Sequence, residues 1–182
     1  TVGGGGATSD ILLHSKSGTG MSLDATIQTT ADVTLRAEGG GTVSQSAGSI
    51  QAAGLRVLGD TPPTFTLNQA TNDVTTLAGS LTGATATLTF QDADDFAIGT
   101  ITSNDGTGST TTNGVTVGTA GSATNVLTLT AGGTVTQLTA GDNITAGGLE
   151  LLGTGPYTLT NAGNDVTTLA ANVAGNVSYR DS

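Results

Sequence analysis

The chain has 182 residues, which is enough for one domain with a buried core, but only 10% of its residues are charged and 3% are aromatic. A formal net charge of −10, with four lysine and arginine residues scattered along the chain, argues against a nucleic-acid-binding surface and against a polybasic membrane patch. Because cysteine is absent, disulfides, thiolate catalysis and thiolate metal sites are excluded together.

The first predicted elements are short strands separated by glycine-rich turns. A glycine run at residues 3–6 is followed by an apolar triplet at residues 11–13. Leu23, Ala25 and Ile27 then alternate with polar neighbours, which is the pattern of a half-buried strand. Further strands are predicted near residues 33–35, 42–44, 50 and 55–58.

The central part of the chain continues in the same way. The pair Pro62-Pro63 requires a turn or a bulge, because proline has no N–H group to donate to a strand ladder. Residues 86–90 alternate apolar side chains with threonine, and residues 115–117 give a strand signal inside a threonine- and glycine-rich stretch. Short strands at intervals of about 8–12 residues, without sustained helical periodicity, predict an all-β fold.

One segment of the sequence occurs twice. Residues 72–78 read NDVTTLA and return letter for letter at residues 164–170. Matched blocks also precede the two copies, namely GLRVLG and GLELLG, TFTL and PYTL, and GGTVSQ and GGTVTQ. Self-similarity of this kind is typical of proteins built from stacked repeats.

We therefore interpret residues 1–182 as one continuous solenoid segment of a longer chain. Its internal repeats are predicted at about residues 33–101 and 126–182, and residues 102–125 are predicted to form another coil that joins them. In each copy a valine and a leucine lie three positions apart, which predicts a corner between them, and the preceding asparagine suits turn geometry. The structural repeat residues are Asn72, Asp73, Val74 and Leu77 in the first copy and Asn164, Asp165, Val166 and Leu169 in the second.

Two folds accommodate such a repeat, a right-handed parallel β-helix (a β-solenoid) and a tandem of β-sandwiches. A sandwich needs large inward side chains to fill a core about 10 Å thick, whereas the whole chain has three phenylalanines, two tyrosines and no tryptophan. In a solenoid each coil covers the next, so that small aliphatic residues and threonine can fill a narrow interior. We predict the solenoid, with about 18–23 residues in each coil and coils about 4.8 Å apart. The tandem sandwich is the alternative.

The repeated blocks resemble those of a known group of proteins. GLELLG, followed by YTL and NDVTTLA, is similar to the repeats of very large secreted bacterial exoproteins, the filamentous-haemagglutinin-like and autotransporter-like adhesins. The resemblance covers most of residues 33–182 and is one of repeat style, without a catalytic signature. It implies a right-handed β-helical shaft, export to the cell exterior or the bacterial surface, and a role in attachment.

Few residues are candidates for a chemical site. Asp92, Asp94 and Asp95 form a weak candidate for a Ca²⁺ site, because Ca²⁺ binds several carboxylate or carbonyl oxygens. We favour the alternative, a solvated corner loop. His14 is the single histidine and cannot form a zinc or catalytic site alone, so we expect an ordinary strand residue there. The glycine runs at residues 3–6 and 39–41 lack the lysine of a phosphate loop and are expected to form tight corners.

These observations favour a structural protein over an enzyme, and we expect neither a catalytic residue nor a cofactor. The predicted function is that of a shaft in an extracellular bacterial adhesin or surface filament. The predicted partners are further copies of the chain, assembled into fibres, or glycans on host or other surfaces. No run of about 18 apolar residues occurs, so direct membrane insertion is not expected. The alternative function is that of a β-helix that binds or degrades polysaccharides.

Overall fold

The computed structural model describes residues 9–182, so the corner predicted at residues 3–6 lies outside the described residues. All regular elements in the described range are β-strands, and it contains no helix that could cross a membrane. The strands, in chain order, are β1 (Ile11–Ser15), β2 (Met21–Leu23), β3 (Ile27–Gln28), β4 (Asp32–Ala37), β5 (Thr42–Gln45), β6 (Ile50–Gly59), β7 (Thr64–Leu67), β8 (Asp73–Leu81), β9 (Thr87–Asp92), β10 (Phe96–Ile98), β11 (Thr100–Asn104), β12 (Ser109–Asn113), β13 (Val115–Val117), β14 (Val126–Ala131), β15 (Val135–Gln137), β16 (Ile144–Gly153), β17 (Tyr157–Leu159), β18 (Asp165–Val173) and β19 (Val177–Tyr179).

A sheet of 17 strands winds into a solenoid. β1 pairs with β4, β4 with β6 and β6 with β8, always in parallel, so that Ile11, Val33, Leu55 and Leu77 follow one another from coil to coil. The chain thus completes a coil in about 22 residues, inside the predicted range, and makes about eight turns. The predicted all-β solenoid is confirmed. The tandem sandwich is wrong, because the strand pairings within this sheet are parallel.

Inward side chains form columns that run along the solenoid. On one side, each apolar residue lies directly opposite its partner in the coil below, and the members from Val43 to Leu149 are buried. This column consists of Met21, Val43, Phe65, Leu88, Leu127, Leu149 and Leu169. Because burial of one such side chain contributes about 2 kcal/mol, the stacking of coils stabilises the molecule along its whole length.

The two copies of the repeat have the same strand pairings. Residues 54–59 of the first copy lie between β4 and β8, and residues 148–153 of the second lie between β14 and β18. In the first copy, β4 stacks on β1. Its counterpart in the second copy, β14, stacks on β9, which belongs to the neighbouring side of the solenoid. The second copy therefore starts one side further around the solenoid. One repeat unit is therefore three coils and one further side, and the hairpin formed by β11 and β12 adds residues without adding a coil.

The corner predicted inside the repeated segment is a bend within a continuous strand. Val74 and Leu77 are both buried in β8, while Thr75 between them is exposed. Thr75 is left out of the pairing with β6, which accounts for the spacing of three residues between the two inward side chains. The pair Pro62-Pro63 lies in the turn between β6 and β7, as predicted.

The stretch predicted as a joining coil contains a hairpin. β11 and β12 pair with each other in antiparallel fashion, outside the solenoid sheet. On either side of them, β10 and β13 both stack on β8, with Ile98 opposite Leu77 and Val115 opposite Gly79. The prediction of a coil across residues 102–125 is therefore wrong for the hairpin, whereas the strand at residues 115–117 is confirmed.

The physical reason lies in the composition of this stretch. Between Ile101 and Val115 no side chain is apolar, so these residues have nothing to place in the interior. Pairing with each other satisfies their backbone N–H and C=O groups on the outside. Ile101 is only 3% exposed and packs at Gly54, where an added Cβ would lie 2.8 Å from the Ile101 Cδ1. The hairpin lies across β4, β6 and β8, and we call residues 100–113 the strap.

Candidate functional site

Asn72 is fully buried, and its side-chain amide joins neighbouring coils. Its Oδ1 accepts hydrogen bonds from the Gln45 Nε2 and from the Ile50 backbone N–H, both at 2.8 Å. Its Nδ2 donates to the Gln45 Oε1 at 3.0 Å, to the Gln91 carbonyl at 3.0 Å and to the Leu67 carbonyl at 3.3 Å. Both polar atoms of the amide thus have partners, as a buried amide requires.

Asn164 repeats this arrangement in the second copy. Its Oδ1 accepts from the Gln137 Nε2 at 2.7 Å and from the Ile144 N–H at 2.9 Å. Its Nδ2 donates to the Gln137 Oε1 at 3.3 Å and to the carbonyls of Leu159 and Arg180 at 3.1 Å. Each asparagine thus pairs with a glutamine that sequence reasoning missed, although both glutamines end the matched blocks GGTVSQ and GGTVTQ.

The other repeat residues divide into outward and inward positions. Asp73 and Asp165 are exposed. The inward residues Val74, Leu77 and Val166 are buried, and Leu169, on the last described coil, is 40% exposed.

Asp92 has a structural role that links it to the repeated segment. It is 1% exposed, its Oδ2 accepts the N–H of Val74 at 3.0 Å, and its Oδ1 accepts the N–H of Asp94 at 3.2 Å. In the second copy, the Asp181 Oδ1 accepts the N–H of Val166 at 3.1 Å. The two aspartates therefore hold the start of the same strand in each repeat.

The three aspartates of the calcium candidate do not converge on a cation. Asp92 points inward, whereas Asp94 and Asp95 are exposed and the Asp95 Oδ1 accepts the N–H of Thr134. Across residues 9–182, no three His, Cys, Asp or Glu side chains form a group that could hold a metal ion. The structure therefore gives the carboxylates of Asp92 and Asp95 separate structural partners and brings the three aspartates to no shared site.

Stability should depend on pH through Asp92. Burial raises its pKa from 3.8 to about 7, against the opposing effect of the hydrogen bonds from Asp94 and Val74. Between about pH 4 and pH 7 the folded state therefore binds more protons than the unfolded state. The contribution of protonated Asp92 to the free energy of unfolding is thus present at low pH and is lost as the pH rises through 7. Relative to an Asp92→Asn variant, we expect the free energy of unfolding to fall by about 1–2 kcal/mol between pH 5 and pH 8. Urea denaturation at both pH values measures this difference, and identical pH profiles for the two proteins would contradict the assignment.

A charged cluster holds the tip of the strap on the first two coils. The Arg36 Nη1 donates to the Asp105 carbonyl at 2.7 Å and lies 3.4 Å from the Asp105 Oδ2. The Arg36 Nη2 lies 2.9 Å from the Glu38 Oε1, which the His14 Nε2 also contacts at 3.1 Å. His14 is a strand residue, as predicted, and lies opposite Arg36 in the sheet. Hydrogen bonds from Thr107 hold the pKa of Asp105 well below its ordinary value, so this group is a carboxylate at neutral pH.

Arg56 lies fully buried beneath the strap. Its Nη1 donates to the Thr110 carbonyl, and its Nη2 donates to the Thr110 hydroxyl at 3.1 Å. Its Nε has no hydrogen-bond partner, and none of the ion pairs found in residues 9–182 includes Arg56. Burial lowers the pKa of Arg56, because desolvation disfavours a charge that has no carboxylate in contact with it. Thr34 and Ser103 complete this docking with a buried hydroxyl–hydroxyl hydrogen bond of 2.8 Å.

An open cleft runs beside the strap. Two adjoining parts of about 210 and 350 Å³ share Leu58, Ser80 and Asp105 as lining residues. Hydroxyl, carboxylate, amide and guanidinium groups predominate on the rest of the lining, so the surface suits a polar, hydroxylated ligand. The other polar side chains on this lining are Arg36, Glu38, Asp60, Thr82, Thr110, Thr111, Thr112, Asn113 and Thr116.

Comparison with models of protein families, with curated proteins and with solved structures found no match.

Proposed function

We propose that this chain is a structural shaft of an extracellular bacterial adhesin or surface filament, and that it positions or mediates attachment without catalysis. The observation that carries the proposal is the uninterrupted stacking of about eight coils, in which the inward column from Met21 to Leu169 continues across both repeats. Such a stack gains length by the addition of coils, because each coil contacts only its neighbours. The resemblance of the repeated blocks to those of secreted bacterial adhesins supports the same role.

Surface display tests this proposal. The chain is placed between an outer-membrane anchor and an epitope, and the distance of the epitope from the membrane is measured by immunogold electron microscopy. We expect the epitope outside the cell, at a distance that increases when a second repeat unit is added. An epitope retained inside the cell, or a distance unaffected by the added unit, would contradict the shaft.

The second candidate is a β-helix that binds or degrades polysaccharides. The cleft beside the strap favours it, because the carboxylates of Glu38, Asp60 and Asp105 line one open, polar surface. Two of these carboxylates are held by Arg36, which favours binding over acid–base catalysis. Release of reducing ends from an acidic polysaccharide, with loss of that activity in an Asp60→Asn variant, would establish degradation.

A further inference from the structure

Two arginines and the single histidine, which are distant in sequence, meet on one outward side of the solenoid next to the strap. His14, Arg36 and Arg56 lie on the adjacent strands β1, β4 and β6. His14 is opposite Arg36 in the sheet, and Arg56 is opposite Thr34, two residues from Arg36. In a chain with a net charge of −10, this place thus holds two of the four lysine and arginine residues.

The strap supplies the oxygen atoms that these cations contact. The Arg36 Nη1 faces the carbonyl and the carboxylate of Asp105, and Arg56 faces the carbonyl and the hydroxyl of Thr110. The strap thus occupies the positions at which the oxygens of an external anion would bind. Glu38 holds the other terminal nitrogen of Arg36, which leaves the Nη1 available once Asp105 moves away.

The docked strap leaves a buried polar group of the solenoid without a hydrogen-bond partner. Arg56 is fully buried, yet its Nε lacks an acceptor and no carboxylate forms an ion pair with it. A buried guanidinium in this state is costly, whereas planar bidentate pairing with a carboxylate would satisfy it. The strap also lacks backbone pairing with the solenoid sheet, since β11 and β12 pair only with each other. Displacement of the strap therefore breaks side-chain contacts and leaves the coils intact.

We propose that the strap is a displaceable cover over a binding site for a carboxylated polysaccharide. Carboxylates of the polymer take the place of Asp105 on Arg36 and pair with Arg56, which displacement of the strap uncovers. Ser80 and Thr82, which lie on the coils and stay in place when the strap moves, bind the sugar hydroxyls. The inference rests on the glycan attachment proposed above and specifies its ligand class. It can be refuted while the shaft proposal holds, because the shaft is tested by the distance of an epitope from the membrane and the site is tested by binding.

Calorimetric titration with oligogalacturonate tests the proposal on four forms of the chain. An Asp105→Asn variant weakens the resident contact, and we expect it to bind at least tenfold more tightly than the wild-type chain. A Thr34→Cys, Ser103→Cys double variant locks the strap through a disulfide, since the two native hydroxyls are 2.8 Å apart and the chain has no other cysteine. We expect the locked form to bind at least tenfold more weakly than the same protein after reduction.

Matched variants separate the site from overall charge. Arg36→Gln should abolish binding, whereas Arg180→Gln, which removes one exposed positive charge on the last coil, should leave the affinity within twofold. Neutral dextran should not bind, and dextran sulfate should bind at least tenfold more weakly than the carboxylated oligomer. Any of three results overturns the proposal: no gain for Asp105→Asn, equal binding by the locked and reduced forms, or equal losses for Arg36→Gln and Arg180→Gln. Circular dichroism of each variant verifies that the β-fold is retained.

Discussion

Replacement of Asn72 by alanine is expected to lower the free energy of unfolding by about 4 kcal/mol, because several buried groups lose their partner at once. The amide of Asn72 makes five hydrogen bonds, and the truncated side chain would leave the Gln45 amide and the Ile50 N–H unsatisfied in the interior. Two carbonyls, those of Leu67 and Gln91, would lose the Nδ2 donor as well. Urea denaturation followed by circular dichroism measures the loss.

The control for this variant lies four residues away. Asn68 is exposed, so Asn68→Ala should change the free energy of unfolding by less than about 0.5 kcal/mol. The corresponding Asn164→Ala variant should again be strongly destabilising, since the same network surrounds it. A small effect of Asn72→Ala, comparable to that of Asn68→Ala, would show that the buried amide does not hold the coils together.

Truncation of the same leucine in the two copies should have unequal effects. Leu77 is fully buried, and Leu77→Ala is expected to lower the free energy of unfolding by about 3 kcal/mol through lost burial and a residual cavity. Leu169 occupies the equivalent position but is 40% exposed, so Leu169→Ala should cost less than about 1 kcal/mol. The two residues have identical sequence neighbours, NDVTTLA in both copies, so the difference isolates the contribution of the covering coil.

Thermal and urea denaturation of both variants measure this contrast. Equal losses at the two positions would mean that the leucine is stabilised within its own coil and not by the coil that covers it. A larger loss at Leu169 would contradict this stacking order.

The sequence predicted the solenoid because its evidence was local and repeated. Alternation of apolar residues with threonine, as around Leu88 and Phe90, fixes which side chains point inward, and the recurrence of NDVTTLA shows that one unit is used twice. The low aromatic content argued against a thick sandwich core, which needs large inward side chains, and left the sandwich as the alternative until the parallel pairings ruled it out. The corner between Val74 and Leu77 followed from their spacing alone.

The strap and the charged cluster could not be predicted in this way. Arg56 meets Thr110 across 54 residues, and such a contact depends on the coil length and on where the hairpin folds back. The glutamine partners of Asn72 and Asn164 were detectable in principle, since they recur at matched positions. The absence of apolar residues between Ile101 and Val115 was also visible, but a polar coil and an external hairpin share that pattern.

The central claim is that each coil buries its apolar side chains by stacking on its neighbour. The most direct test of this claim is a duplication. Residues 32–125 are repeated in tandem, so that Asp32 of the inserted unit takes the place that Val126 occupies on β9. The added unit of three coils and one further side should lengthen the particle by roughly 16 Å at about 4.8 Å for each coil. Small-angle X-ray scattering should show this increase in the maximum dimension with an unchanged cross-section. A second compact body beside the first, or an insert that is unfolded, would contradict the account.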